Sequence, residues 1–349
     1  MDMKRDYFED VQLCTSGTVV LWLAVLLAGL AVFPLLAKNY YVYMANYLAI
    51  NVIVVIGLNI LVGYTGQVSL GHAGFFAIGA YGTVVLMTRA HLPFPLALLL
   101  AALIAAAFGF LLGLPSLRLE GPYLAIATLG FGITITQVIG RLELFGGRQG
   151  LHTPELIIGP WHLESDRDFY YLLVPLTVVL CMAARNLIKT RVGRAFIAIR
   201  DAEIAAKTIG VNLLVYKTLA FAVSAFYAGI GGGLYAFVLR FIEPEIFTLL
   251  MSIMFLAMVV VGGLGSIMGS IAGACLLSWM DLQLRNILSI PLLGPWLEQL
   301  SRSWFSITGV SNIQFIVFGL IMILIMLFEP LGIFGVWLRT KKYWKTWPF

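Results

Sequence analysis

The chain has 349 residues, 61% hydrophobic and 11% charged, with a mean hydropathy of +0.97 and a formal net charge of +5. A soluble domain is about a quarter charged, so this composition excludes a set of solvated domains and points to an all-α, polytopic integral membrane protein. The positive charge is then a topology signal rather than a nucleic-acid one, because basic residues collect in cytoplasm-facing loops.

Met1 to Asp10 holds two bases and four acids, which does not suit a signal peptide. The apolar run that follows, 18–37, has the roughly 20 residues a full span needs and exceeds a cleavable apolar core. It reads as a retained first span. Further runs at 40–62, 67–88, 95–114, 121–140, 169–187, 217–239, 247–262, 266–282 and 312–329 bring the expectation to about ten transmembrane helices with short Gly-rich breaks. Lipid offers backbone groups no partner, so only helices or closed barrels can span it. The run lengths and the lack of alternation exclude a barrel. Tyr40, Tyr41 and Tyr43, with Trp337, Trp344 and Trp347, fall near span ends as an aromatic belt would. Cys14, Cys181 and Cys275 form no Cys-x-x-Cys and read as small hydrophobes, not as metal ligands.

The loops set the orientation. The 188–216 segment and its border carry Lys189, Arg191, Arg194, Arg200, Lys207 and Lys217 against Asp201 and Glu203, which places it inside. The 141–168 loop carries Glu143, Glu155, Glu164, Asp166 and Asp168 against Arg141, Arg148 and Arg167, and suits the outside. A second external loop, 283–311, holds Pro291, Pro295, Trp296 and Trp304. The tail, with Arg339, Lys341, Lys342 and Lys345, is inside. Residues 1–349 are thus expected to form one transmembrane domain with both termini cytoplasmic. The breaks at Gly63–Gly66 and Gly262–Gly265 fit either full turns or re-entrant segments. Gly63, Gly66 and Gly74 match Gly262, Gly265 and Gly273 at one constant offset, which fits a duplicated architecture or chance.

The stretch Gly57–Gly74 is dense in glycine and carries Asn59, Thr65, Gln67, Ser69 and His72. Broken helices at membrane depth are tolerated where they are buried in protein or line a water-filled cavity, and in transporters such breaks place half-helix N-termini at the substrate. Asn59, Gly66, Gln67, Ser69, Gly71, His72 and Gly74 are therefore candidates for a substrate path. For the glycines, close helix packing through small residues is the favoured reading. Ser69 and His72, at i and i+3, share a helix face and invite a hydrolase reading. The local string lacks the Gly-x-Ser-x-Gly elbow.

No Gly-x-x-x-x-Gly-Lys-Ser/Thr occurs, so the chain does not bind ATP by that device. Glu243 and Glu245 follow the seventh run, Asp281 closes the ninth and Glu329 the tenth, so no carboxylate is expected deep within a span. Coupled carriers usually keep one there. A transporter lacking both devices draws its energy from another subunit or is a passive channel. The basic loop then gains weight. Arg194–Gly210 contains no Pro and is expected to form an exposed helix of about four turns, with Arg200–Glu203 and Glu203–Lys207 pairs along it. Phe196, Ile199, Ile204 and Ile209 supply its apolar side. It reads as a docking helix for a soluble motor, or as an interfacial helix resting on anionic lipid.

Four stretches in order carry a resemblance: Gly57–Tyr81, Leu117–Gly132, Gly146-Gly-Arg-Gln-Gly150 and Gly193–Gly210. Through them the chain resembles the permeases of branched-chain amino-acid ABC importers, the larger permease of the pair (LivM type). Glu203-Ile-Ala205-Ala206-Lys-Thr-Ile-Gly210 resembles their cytoplasmic EAA-type loop, with one residue inserted after the Glu. The resemblance implies ATPase docking through Arg194, Arg200, Asp201, Glu203, Ala205, Ala206 and Gly210. It also implies a second permease, two ATP-binding cassette subunits that hold the ATP, and a soluble extracytoplasmic binding protein that sets selectivity. The chain itself would need no cofactor. Such a system sits in a bacterial or archaeal cytoplasmic membrane, and related permeases move urea or other small amides and acids.

Overall fold

The computed structural model describes residues 17–119, 121–158, 161–163, 165–288, 319–320, 322–324, 327–329 and 332–346. The expectations for Met1–Asp10 and Cys14, for Pro291, Pro295, Trp296 and Trp304, for Glu120, Glu164 and Trp347, and for most of the tenth run lie outside them. Among the described residues, the regular structure is helical apart from two pairs of two-residue strands. The helices are α1 (Gly17–Leu36), α2 (Asn39–Thr65), α3 (His72–Thr88), α4 (Phe94–Gly113), α5 (Pro122–Arg141), α6 (Asp166–Lys189), α7 (Arg191–Asp201), α8 (Glu203–Thr208), α9 (Leu213–Leu239), α10 (Leu249–Gly262), α11 (Ile267–Leu288) and α12 (Gly332–Thr346).

The first nine apolar runs each coincide with a helix. Asn39–Thr65, Phe94–Leu117, Pro122–Arg141, Asp166–Lys189 and Leu213–Leu239 are long and apolar enough to cross a membrane. The third run starts late, because Gly66–Gly71 is not helical. Gly66 closes α2 at φ 73°, and the Gln67 N–H turns back to the Leu61 carbonyl. The 17 residues of α3 and the 14 of α10 span only about 25 and 21 Å, short of a ~30 Å hydrocarbon core. The irregular chain before α3 is largely buried in protein, the arrangement that lipid would not tolerate at an exposed surface.

The ninth run is longer than expected: α11 continues to Leu288, so the expected 283–311 loop loses its first residues. Asp281 consequently lies inside a helix instead of closing it. It is 2% exposed, and the Tyr47 hydroxyl donates to it across 3.3 Å. A buried carboxylate within a span is thus present, contrary to expectation, about 21 Å along α11 from its start.

The core forms around α2 and α9, which pack against each other and, through α9, against α3 and α4. Without a hydrophobic drive between helices in lipid, close approach of backbones supplies the attraction. A Cβ on Gly232 would strike the Phe76 carbonyl, one on Gly79 would strike Gly229, and one on Gly57 would strike Tyr227. The contacts also fix direction. Asn46 on α2 donates to the Asp166 carbonyl at the start of α6, whereas Gly66 at the other end of α2 lies against Arg200 of α7. The 188–216 segment, the Gly66 break and the α10–α11 turn therefore share one end of the bundle. The segments at 141–168 and 240–248 share the opposite end, where β1 (Leu151–His152) pairs with β4 (Phe241–Ile242) and β2 (Ile157–Ile158) with β3 (Trp161–His162). Gly332, at the start of α12, approaches Gly263 and Val261, which puts the basic C-terminal helix at the 188–216 end.

Candidate functional site

At the 188–216 end, Thr190 caps α7 by accepting from the Val192 N–H at 3.2 Å. Gly193 permits the tight α6–α7 corner, since a Cβ there would enter the Ile188 backbone. Phe196 and Ile199 anchor α7 by their burial. The expected continuous helix is broken at Ala202, which is extended at φ −159°, ψ 92°. The break changes the expected pairing. Glu203 takes Lys217 at the base of α9, with Nζ–Oε1 2.5 Å and the lysine side chain only 4% exposed. Arg200 instead donates to the Gly63 carbonyl at 2.7 Å. That carbonyl is freed because Gln67, its usual helical donor, bonds Leu61. A guanidinium at the negative end of the α2 dipole is also favourably placed.

The apolar side divides as well. Phe196 and Ile199 are buried, but Ile204 and Ile209 are 83% and 77% exposed, because α8 projects from the bundle on the buried Ala206. Gly210 turns the chain toward α9 at φ 91°. Arg194 bonds the Lys189 carbonyl, while Asp201 and Ala205 face outward. The region presents an exposed turn with two isoleucines, rigidly tied at Arg200 and Glu203 to two different spanning helices.

The Gly57–Gly74 stretch adjoins this turn. Asn59 uses its whole amide: Nδ2 donates to the Ser266 carbonyl at 2.9 Å and to Ser270 Oγ at 2.6 Å, and Oδ1 accepts from the Gly265 N–H at 2.9 Å. Gly63 meets Gly265 backbone to backbone, so the two Gly-rich breaks seen in the sequence touch. Gly66 and Gly265 share left-handed φ values of 73° and 75°. Gln67 donates to Thr65 Oγ1, and its Oε1 is buried without a partner among the described residues. His72 Nδ1 lies 3.2 Å from Ser69 Oγ, and its Nε2 lies 2.8 Å from Ser224 Oγ, which donates to the Gly57 carbonyl. A ring protonated on Nε2 satisfies this chain, with Ser69 donating to Nδ1. Ser69 and His72 are both 0% exposed, and no carboxylate orients the ring, so a hydrolytic substrate has no access. Gly71 packs on the Thr128 backbone and Gly74 on Gly132. The Leu70 N–H is satisfied by Thr128 Oγ1 and the Ala73 N–H by Ser252 Oγ, each at 2.9 Å.

Beside those last two residues a cavity of about 360 Å³ opens between the N-terminal turns of α3 and α10 and the length of α5, toward the 141–168 end. None of the seven residues singled out from the Gly57–Gly74 stretch lines it; Leu70 and Ala73 of the same stretch do. The remaining lining comes from residues 129–148 and 244–252. Their one local signal was the Gly146–Gly150 motif, in which Gly146, Gly147 and Gly150 all have positive φ. Among the described residues no group of three His, Cys, Asp or Glu could hold a metal ion.

A family model for the branched-chain amino acid transport system / permease component matches residues 40–326. The chain is 39% identical over 282 residues to the high-affinity branched-chain amino acid transport system permease protein LivM of Salmonella typhimurium, covering 74% of this chain and 66% of that protein. LivM of Escherichia coli gives the same figures. The probable branched-chain amino acid transport permease protein LivM of Methanocaldococcus jannaschii is 24% identical over 249 residues, 68% of each chain. The chain thus spans a little under two thirds of the length of its two bacterial relatives. No solved structure matches it.

Proposed function

The chain belongs to the permease-component family of branched-chain amino acid transport systems, and from that premise we propose that it is the transmembrane subunit of an ATP-driven importer of leucine, isoleucine, valine or related hydrophobic amino acids. The observation that carries the proposal is the α7–α8 turn. Ile204 and Ile209 are exposed while Arg200 and Glu203 fix the turn to α2 and α9. An apolar knob on a rigid mount suits a soluble motor that must push on spanning helices. In this reading Arg194, Arg200, Asp201, Glu203, Ala205, Ala206 and Gly210 form the docking region, and the broken segment from Asn59 to Gly74 belongs to the moving path. The chain carries no ATPase site. Two cassette subunits bind the ATP, a second permease closes the path and an extracytoplasmic binding protein delivers the amino acid. The assembly sits in a bacterial or archaeal cytoplasmic membrane, with the 188–216 end and both termini inside.

Reconstitution tests the proposal. The chain with its partner subunits and binding protein takes up labelled leucine only with ATP, and the chain alone takes up none. Uptake by the chain alone would instead favour a self-powered carrier, a reading to which the buried Asp281 lends its only support. Uptake of urea or short amides in place of leucine would move the substrate to that related class.

A further inference from the structure

The cavity beside α3 and α10 combines three features that suit one kind of ligand. Its volume of about 360 Å³ falls within the roughly 300–1,000 Å³ of small-molecule sites. Leu129, Ile133 and Phe247 supply an apolar wall, and Arg141, Arg148 and Glu245 bring charges of both signs to the same rim. Those three charged side chains make no hydrogen bond or ion pair with any described residue, although they line one cavity. The second cavity, of about 370 Å³, differs: there Arg240 and Asp166 already face each other at 3.8 Å.

Arg141 alone would be explained as a base in the last turn of α5, favourable to the helix dipole. That account leaves Arg148 and Glu245 unexplained. Arg148 sits in a five-residue turn whose three positive-φ glycines are held against the chain: a Cβ on Gly150 would strike the Ile242 carbonyl, and one on Gly146 would strike Gly150. The turn thereby brings Arg148 to the cavity that Glu245 of the Pro244–Ile246 turn also lines, both side chains exposed at its rim. A bare anion such as a lipid phosphate would be repelled by Glu245. A zwitterion gains from all three.

We infer that this groove is an acceptor site for an α-amino acid with an apolar side chain, carboxylate toward Arg141 and Arg148, ammonium toward Glu245 and side chain on the Leu129–Ile133–Phe247 wall. The inference rests on the importer reading and adds to it that the permease reads the zwitterion itself, so that selection is not left to the binding protein alone.

The test is equilibrium binding of radiolabelled L-leucine to the full assembly in lipid nanodiscs without binding protein. Leucinamide, which lacks the carboxylate, and 4-methyl-2-oxopentanoate, which lacks the ammonium, serve as competitors. Wild type should prefer leucine to both. Arg141→Gln with Arg148→Gln should weaken leucine by about tenfold or more, the scale of a lost charge-assisted contact, and erase the discrimination against leucinamide. Glu245→Gln should erase the discrimination against the oxo acid, and Ile133→Trp should block binding by filling the groove. Arg141→Lys should retain part of the affinity. Unchanged discrimination in the Gln variants overturns the inference. So does a wild-type assembly that binds no leucine here yet imports it when binding protein is added, an outcome that leaves the importer reading standing. An assembly that imports no hydrophobic amino acid with binding protein overturns both.

Discussion

Arg200 Nη1 donates to the Gly63 carbonyl across 2.7 Å and stands against Gly265, so one side chain of the α7–α8 turn touches both Gly-rich breaks of the chain. A charge-assisted bond of this kind contributes about 1.5–3 kcal/mol. Arg200→Ala should therefore lower leucine uptake by about tenfold or more in the reconstituted assembly while ATP hydrolysis continues, and Arg200→Lys should recover part of it. The measurement is the ratio of leucine moved to ATP split. An unchanged ratio in Arg200→Ala would remove this side chain from force transmission.

The Glu203–Lys217 pair predicts an asymmetry. Lys217 is 4% exposed and Glu203 is 32% exposed. Glu203→Gln strands a buried ammonium, at a cost of about 3–5 kcal/mol. Lys217→Met strands a carboxylate that water still reaches, and should cost distinctly less. The double variant should unfold at a higher temperature than Glu203→Gln alone. Thermal unfolding of the three proteins in detergent checks the order, and equal losses in both single variants would contradict it.

Two glycines should respond differently to alanine. Gly210 has φ 91° and open space around it, so Gly210→Ala meets backbone strain of about 1–2 kcal/mol. Gly210→Asn should be milder, because asparagine tolerates left-handed backbone. Gly232 is helical, but a Cβ there enters the Phe76 carbonyl and forces α3 and α9 apart. Gly232→Ala should reduce folded yield far more than Gly210→Ala, as read by size-exclusion profiles.

The Ser69–His72–Ser224 chain predicts packing effects without chemistry. Ser69→Ala should cost about 1 kcal/mol and leave uptake near wild type. Ser224→Ala orphans a buried Nε2–H and should cost about 1–3 kcal/mol. A fluorophosphonate probe should label none of these proteins at Ser69. Labelling that disappears in Ser69→Ala would revive the hydrolase reading.

The spans were legible because twenty apolar residues in lipid have few ways to satisfy their backbone, but the break expected at Gly63–Gly66 lies instead at Gly66–Gly71, since α2 stays helical through Thr65. The α7–α8 turn was only partly legible. Phe196, Ile199, Ile204 and Ile209 follow helical spacing, yet the helix stops at Ala202, a residue type that favours helix. The cause is remote: Arg200 is claimed by Gly63 and Glu203 by Lys217, and one straight helix would not reach both. Asp281 was misplaced because hydropathy ends a span at a charge, whereas α11 buries it beside Tyr47 and runs on. The groove was the least legible part. Its charges come from the neighbouring Arg141 and Arg148 and from Glu245, about a hundred residues further along the chain, and only the fold joins them.

Where Gly63 meets Gly265, the two main chains touch, joined by the Asn59 amide and braced by Arg200. Such a joint has nothing soft to compress. A displacement arriving through the arginine that braces it is expected to reach α2 and the α10–α11 turn together, with little of it absorbed.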